Sequence, residues 1–310
     1  MPEPGRIPVI CGPTGSGKTS LALRLAEDFP IEIISADSRQ LIRHLDIGTA
    51  KPTPGEQERV RFHLIDLIEP GERFSSFQFI EAADAAVGDI LVRRRLPVVV
   101  GGTGLYLRAL IDGVVEMEAD RPEIRERLEA DMQRLGPEAM HRRLTGIDPQ
   151  EAARVHPHNR VRLVRALEIY ELTGTPKSKL TSSGAYKKSQ YEYGAFCLMP
   201  DRAQLYRAIE ARVDLMMRLG LLAEVDNLLG RGFGAALRRA NVIGYDELLD
   251  YREGRCSLAE AVALIKQNSR RYAKRQITWF RHQLEGEYFP SGGSVLEAVR
   301  AALETRPRRR

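Results

Sequence analysis

Cysteine is scarce in this chain. Cys11, Cys197 and Cys256 are its three, too scattered for a disulfide framework or for zinc-ligand spacing, and a reducing cytoplasm is the compartment that fits. Apolar runs stay well short of the roughly 18 residues that a membrane-spanning helix needs. Residues 1–6 hold no apolar signal segment, so no membrane partner is expected. Internal repeats and long low-complexity tracts are missing, as is the guanine-reading pattern N-K-x-D. Two absences of acid say more. The run Val98, Val99, Val100 enters Gly101, Gly102 and Thr103 with no Asp, where ATPases and GTPases with a phosphate loop usually carry one to order Mg²⁺ and water. Residues 266–282 contain six Lys or Arg and no Asp or Glu, so the excess of 47 basic over 42 acidic residues is locally concentrated.

What is present begins at Gly12. Gly12, Pro13, Thr14, Gly15, Ser16, Gly17, Lys18 and Thr19 match G-x-x-x-x-G-K-[ST] in full. The apolar run Ile7–Cys11 precedes them, and Leu21, Ala22, Leu25, Ala26 and Phe29 follow at helical spacing. Glycines in such a loop let backbone N–H groups converge on phosphate oxygens. Lys18 adds a cation, and the Thr19 hydroxyl can hold Mg²⁺ at the positive end of the next helix. The ligand class implied is a diphosphate or triphosphate, with ATP implied only at the level of the loop.

A length of 310 residues with 43% hydrophobic content predicts about two domains and a sizeable core. Strand-like runs at 7–11, 31–35 and 97–100 each lead into a turn and then a helical pattern. This predicts an α/β core over 1–112, a phosphate-loop-type parallel sheet flanked by helices. Over 113–195 charged helical patterns replace the strands and end in the polar stretch 178–190, which predicts a helical insertion. Residues 196–199 read as a returning strand. The remainder to 310 reads as a helical, basic region with a frayed basic tail at 306–310. Ligands of parallel sheets lie beyond the carboxyl ends of the strands. The phosphate loop, the run from Asp37 to Gln40 and residues 101–104 should therefore share one pocket.

Asp37, one residue past the second strand, reads two ways. It can accept a proton from a nucleophile facing the phosphates, or it can cap a helical turn starting near Ser38. Thr103 can touch the phosphates or close a glycine turn. Toward the C-terminus Arg270, Lys274 and Arg281 share one helical face, and Arg271, Arg275 and His282 a neighbouring one. Ala273, Ile277, Phe280 and Leu284 form an apolar stripe on the same helix. Solvated faces normally mix signs, so a face without acid favours a polyanion. Arg142, Arg143, Arg154, Arg160, Arg162 and Arg165 add a second cluster in or beside the insertion. Two basic surfaces and a phosphate loop suggest a nucleic acid gripped across the pocket.

Eight stretches in order resemble the tRNA dimethylallyltransferases, also called tRNA isopentenyltransferases. They are GPTGSGKT from Gly12, ISADSRQ from Ile34, DIGTAKP from Asp46, HLID from His63, VGGTGLYL from Val100, RxxRALE from Arg162, IGYDE from Ile243 and AKRQITWFR from Ala273. The resemblance implies transfer of a dimethylallyl group from dimethylallyl diphosphate to the exocyclic 6-amino group of the adenosine immediately 3′ of the anticodon in tRNA. Diphosphate leaves, Mg²⁺ is the cofactor, and a cytoplasmic monomer is expected. Asp37 aligns with the general base, and Lys18 and Thr103 with groups at the leaving diphosphate. Contacts to the anticodon stem-loop are implied for Asp37, Ser38, Arg39, Gln40, Thr103 and Arg125. They are implied also for Val161, Arg162, Leu163, Val164 and Arg165, and for Asn241, Val242, Ile243, Gly244, Tyr245 and Asp246. Lys274, Arg275, Gln276, Ile277, Thr278, Trp279, Phe280 and Arg281 complete that surface. Because the target amine lies in a stacked base, the base has to leave the anticodon stack.

The chain departs from the family pattern at Ile42, Phe62, His158, Asn159 and Asn241, none of which removes a catalytic group. A phosphate-loop small-molecule kinase or an adenylate isopentenyltransferase would share the loop but need no tRNA surface, and the acid-free helix argues against both. Against a non-enzymatic NTPase module stand the missing strand-end Asp and the missing guanine motif.

Overall fold

The computed structural model describes residues 5–115, 121–182 and 186–304; the basic tail 306–310 lies outside them. The chain divides into two compact units, Met1–Asp112 with Ser189–Arg310, and Gly113–Lys188. In the larger unit β1 (Ile7–Cys11) leads through the glycine loop into α1 (Lys18–Asp28). Then come β2 (Ile31–Ala36), α2 (Pro54–Arg59), β3 (Phe62–His63), α3 (Ser76–Val92), β4 (Leu96–Gly101) and α4 (Gly104–Asp112). The smaller unit runs β5 (Val114–Val115), α5 (Pro122–Leu135), α6 (Pro137–Ile147), α7 (Pro149–Ala152), α8 (Arg160–Thr173), α9 (Lys177–Ser182) and β6 (Tyr186–Lys187). The chain re-enters the larger unit with β7 (Tyr193–Leu198), α10 (Arg202–Arg218), α11 (Leu221–Gly230), α12 (Gly234–Ala240) and α13 (Tyr245–Arg252). It finishes with α14 (Leu258–Gln283), β8 (Glu287–Phe289) and α15 (Gly292–Glu304).

The main sheet has the order β3-β2-β4-β1-β7-β8, with every neighbouring pair parallel. β1 and β2 are buried along their whole length, which is why they read as unbroken apolar runs. Their side chains alternate between two cores. Val9, Cys11, Ile34 and Val99 pack with Phe79, Leu107 and Phe280 on one face. Ile10, Ile33 and Val98 pack with Leu25 of α1 and Val295 and Val299 of α15 on the other. The returning strand β7 starts at Tyr193, in register with Ile7 of β1. The smaller unit accordingly closes at Lys188 rather than at 195. Tyr193, Gly194 and Ala195 carry no β-branched side chain, so their pairing left little trace in the sequence. Leu128, Met132, Met140, Leu144, Leu163 and Leu167 form the smaller unit's own core. Among the described residues no helix is long and apolar enough to cross a membrane.

A third core joins Ile42 and Leu45, from the segment between β2 and α2, to α10, α11, α13 and α14. Two polar knots fix that segment. Lys51 Nζ, its side chain 3% exposed, donates to Asp46 and Asp66 carboxylates, each at 2.6 Å, and to the Ile42 carbonyl at 3.0 Å. Glu224 of α11 accepts from the backbone N–H groups of Asp46, Ile47 and Gly48 at 3.1, 2.8 and 3.3 Å, and from the Tyr245 hydroxyl. A Cβ on Gly48 would come within 2.4 Å of the Tyr245 ring, so no other residue fits beneath it.

At the far end of β2, buried Glu32 accepts from Arg93 at 3.1 and 2.7 Å and lies 2.7 Å from His63 Nε2. The Arg93 hydrogen bonds lead in holding this carboxyl down to about 2 against its own burial, with His63 adding to them. A depressed carboxyl stabilises the fold above the unfolded value of 4.5 and loses that contribution as pH falls toward 2. Glu32→Gln is expected to lower stability by on the order of 2 kcal/mol at pH 7, allowing for the partly exposed Arg93. The gap from the parent should close between pH 4.5 and pH 2 in denaturant unfolding.

Candidate active site

The carboxyl ends of β1, β2 and β4 deliver three short segments to one place. The first is the phosphate loop, which enters α1 through Gly17 in the left-handed region at φ 93°. Such a turn aims backbone N–H groups at an anion and places Thr19 in the first helical turn, where its hydroxyl can hold a cation. Ser16 Oγ is buried and makes no hydrogen bond, a second hydroxyl open to a ligand. Lys18 Nζ donates to the Pro13 carbonyl at 2.7 Å. Burial pushes its pKa down to about 8; the Asp37 carboxylate opposes that shift and the Arg212 guanidinium adds to it.

Arg212, on α10, is the group that sequence reasoning missed. Its Nη1 donates to Thr14 Oγ1 at 2.9 Å and its Nη2 reaches the Thr49 carbonyl at 3.4 Å, so a second cation lies against the phosphate loop. In sequence it is one of many arginines on an amphipathic helix, with no local mark of its role. Gln276 of α14 is buried and bridges two loops. Its Oε1 accepts from the Thr14 N–H and its Nε2 donates to the Gly102 carbonyl, both at 2.8 Å. A Cβ on Gly102 would come within 2.8 Å of that same Nε2, so the bridge requires glycine there.

The second segment is the turn after β2. No regular helix starts at Ser38, but Asp37 Oδ1 accepts from the Arg39 N–H at 2.9 Å. The capping type of hydrogen bond is thus made locally, in a turn instead of a helix, and the second carboxylate oxygen remains available. Ser38 N–H donates to Thr103 Oγ1 at 2.9 Å, and the Thr103 N–H donates to the Ala36 carbonyl at 3.1 Å. Thr103 therefore locks the third segment to the second while facing the same space. Gln40 accepts from Ser35 Oγ at 2.9 Å and donates to the Ala50 carbonyl at 3.0 Å. Arg39 reaches the carbonyls of Ala240 and Asn241 at 2.9 and 3.4 Å, which brings the segment 241–246 to the pocket rim. Burial raises Asp246 to about 6, with Arg238 opposing and Glu247 and Asp250 adding.

Along α14, Lys266 and Arg270 are paired, at 2.6 Å each, with Asp214 and Glu210 of α10. The run without acid in sequence is thus partly neutralised in space. Arg271, Lys274, Arg275 and Arg281 are exposed and form no ion pair with a described residue. Ala273, Phe280 and Leu284 are buried as the apolar stripe requires. Phe280, Val242 and Tyr245 are closed to solvent, so these side chains support the surface from beneath instead of touching a partner.

In the smaller unit, Val161 is 72% exposed on α8 beside exposed Arg162, whereas Leu163 and Val164 belong to the unit's core. Arg165 and Arg125 are held by carboxylates: Arg165 by Glu168 at 2.8 Å, Arg125 by Glu129 at 2.9 Å. Arg143 is likewise tied to Glu171 at 2.6 Å. Arg142, Arg154, Arg160 and Arg162 form no ion pair with a described residue, so they carry that unit's free positive charge.

A phosphate loop with two cations, no strand-end carboxylate for water, and a carboxylate on the adjacent turn describes a phosphate-loop transferase, with exposed cations along α14. The relatives agree. A family model described as IPP transferase matches residues 40–283, and one described as isopentenyl transferase matches residues 5–69. The chain belongs to the IPP transferase family. It is 49% identical over 275 residues to tRNA dimethylallyltransferase 1 of Pelobacter propionicus, covering 89% of each chain. It is 46% identical over 299 residues to tRNA dimethylallyltransferase 1 of Citrifermentans bemidjiense, covering 96% of each. Its structure resembles the tRNA isopentenylpyrophosphate transferase of Bacillus halodurans at 38% identity and a TM-score of 0.67, over 97% of both chains. A eukaryotic dimethylallyltransferase acting on tRNA superposes with a TM-score of 0.80 at 26% identity, over 98% of this chain and 80% of the other.

The lowered Lys18 pKa gives a pH test. An anion in the loop favours the charged lysine, so above pH 8 binding has to take up a proton. Inorganic diphosphate ionises in the same range, so the readout is the ratio of parent to Lys18→Ala affinity, measured by titration calorimetry. Lys18→Ala should bind more weakly throughout, and that ratio is expected to be level below pH 7 and to shrink by up to about tenfold by pH 9.

Proposed function

We propose that the protein transfers the dimethylallyl group of dimethylallyl diphosphate to the 6-amino group of the adenosine immediately 3′ of the anticodon in tRNA, releasing diphosphate. The observation that carries this reading is the position of Asp37. It lies one residue beyond β2, its charge acting on Lys18, beside a phosphate loop whose neighbouring strand ends in Gly101 with no carboxylate to activate water. Breaking the allylic C–O bond leaves positive charge on the organic fragment and negative charge on the leaving diphosphate. Lys18, Arg212 and the loop amides are arranged to meet the second. The adenine amine is a poor nucleophile because its lone pair is delocalised. Asp37 accepts its hydrogen bond first and its proton as the C–N bond forms.

Mg²⁺ is the proposed metal. Among the described residues no three His, Cys, Asp or Glu side chains converge on one point. The cation would thus be held by the Thr19 hydroxyl and by diphosphate oxygens, the sparse protein coordination that Mg²⁺ tolerates. Bound there it supplies neutralising charge for the leaving group. A monomer is the proposed working unit. For tRNA, Arg271, Lys274, Arg275 and Arg281 of one unit and Arg142, Arg154, Arg160 and Arg162 of the other supply phosphate contacts.

The direct test combines purified protein, Mg²⁺, dimethylallyl diphosphate and unmodified tRNA, with mass spectrometry of the anticodon-loop nucleosides. Dimethylallyl on the adenosine 3′ of the anticodon is expected; its absence would sink the reading. Asp37→Asn keeps an acceptor for the Arg39 N–H but not the proton acceptor. Single-turnover transfer should fall by about 10²-fold or more while melting temperature and tRNA affinity hold. Replacing Arg271, Lys274 and Arg275 together by alanine should weaken tRNA binding and reduce the slope of log affinity against log salt by about 3, with smaller change in turnover at saturating tRNA. An unchanged slope would return this face to ordinary solvated surface.

A further inference from the structure

The site-facing side of α14 can be read from its register. Gln276 reaches the phosphate loop and Gly102, and three residues on, Trp279 packs against Gly104, where an added Cβ would lie 2.5 Å from its ring. One turn in the other direction, at i−4 from Gln276, the same face presents Tyr272. This side chain is half-buried, and its hydroxyl makes no hydrogen bond to a described residue. The Arg275 guanidinium lies over its ring, 5.7 Å from the centroid. Burial raises the phenol, with the Asp37 charge raising it further and Arg39 and Arg275 opposing, so the ring is neutral and lies within electrostatic reach of Asp37.

A neutral aromatic ring on the helix face that carries Gln276 to the phosphate loop is suited to a flat, uncharged ligand. We infer that Tyr272 is an acceptor-binding residue whose ring stacks on the extruded adenine and orients its amine toward Asp37. The inference rests on the proposed acceptor role of Asp37. With Arg275 over one ring face, the inferred arrangement puts the base on the other, so that Arg275, Tyr272 and adenine form a short stack in which the cation also strengthens the ring's hold. Thr103 and Gln276, which share the pocket, have no aromatic face to offer a base.

The test compares the full-length protein with its Tyr272→Phe and Tyr272→Leu variants on two tRNAs, one with adenosine and one with an abasic nucleotide at the acceptor position. Phenylalanine is expected to keep affinity and transfer within about twofold. Leucine should raise KM for the adenosine tRNA by about tenfold or more, the usual loss for one stacked base, and leave diphosphate affinity unchanged. On the abasic tRNA, parent and leucine variant should bind alike. A leucine variant with unaltered KM, or one that weakens both tRNAs equally, would overturn the inference. If the parent bound both tRNAs alike and Asp37→Asn transferred normally, the acceptor site itself would be misplaced.

Discussion

Two loops can close on one pocket only if something between them satisfies their backbone, and here that is a single primary amide. The Thr14 N–H needs an acceptor and the Gly102 carbonyl needs a donor, and Gln276 is both at once. A carboxylate could serve only the first and a lysine only the second. Because Gln276 belongs to the long basic helix, the element that carries the exposed cations Arg271, Lys274, Arg275 and Arg281 is also the one that seats the phosphate loop. Loop and basic face are thus mechanically one piece within the larger unit. Thr103 completes the arrangement by holding the turn that carries Asp37.

Behind the pocket, several motifs that look chemical are scaffolding. Asp46, Lys51 and Asp66 come from the DIGTAKP and HLID stretches and spend their charges on one another. A lysine that is almost wholly enclosed needs that company, since an unpaired buried charge would cost several kcal/mol. The knot fixes the segment between β2 and α2 alongside its buried Leu41, Ile42 and Leu45. The Ala50 carbonyl on that segment then takes the Gln40 amide, which ties the scaffold to the Asp37 turn.

Much of this was legible in the chain itself, for identifiable reasons. β1, β2 and β4 are buried on both faces, so they appear as unbroken apolar runs. The phosphate loop has fixed spacing, and the rule that ligands lie beyond strand ends brought Asp37 and Thr103 to it. The unread parts depend on partners distant in sequence. Arg212 carries no local signature because its meaning comes from Thr14. Lys266 and Arg270 looked free because Asp214 and Glu210 lie on another helix. Gln276 read as a nucleic-acid contact through resemblance, and only packing revealed the bridge. The side chains of Leu163, Val164, Val242, Tyr245 and Phe280, for which the resemblance implied tRNA contacts, are buried, because a motif marks a stretch of chain without marking which of its side chains face outward.

The fit of Tyr245 over Gly48 has a consequence for inheritance. The ring occupies the volume that any side chain at position 48 would claim, and its hydroxyl shares Glu224 with the N–H groups of that glycine and of the two residues before it. Neither position can drift alone: a bulkier residue at 48 demands a smaller one at 245, and the smaller one abandons the shared carboxylate. A substitution in one half of the chain is therefore constrained by a residue almost two hundred positions away in the other, although nothing near either position in sequence marks the link.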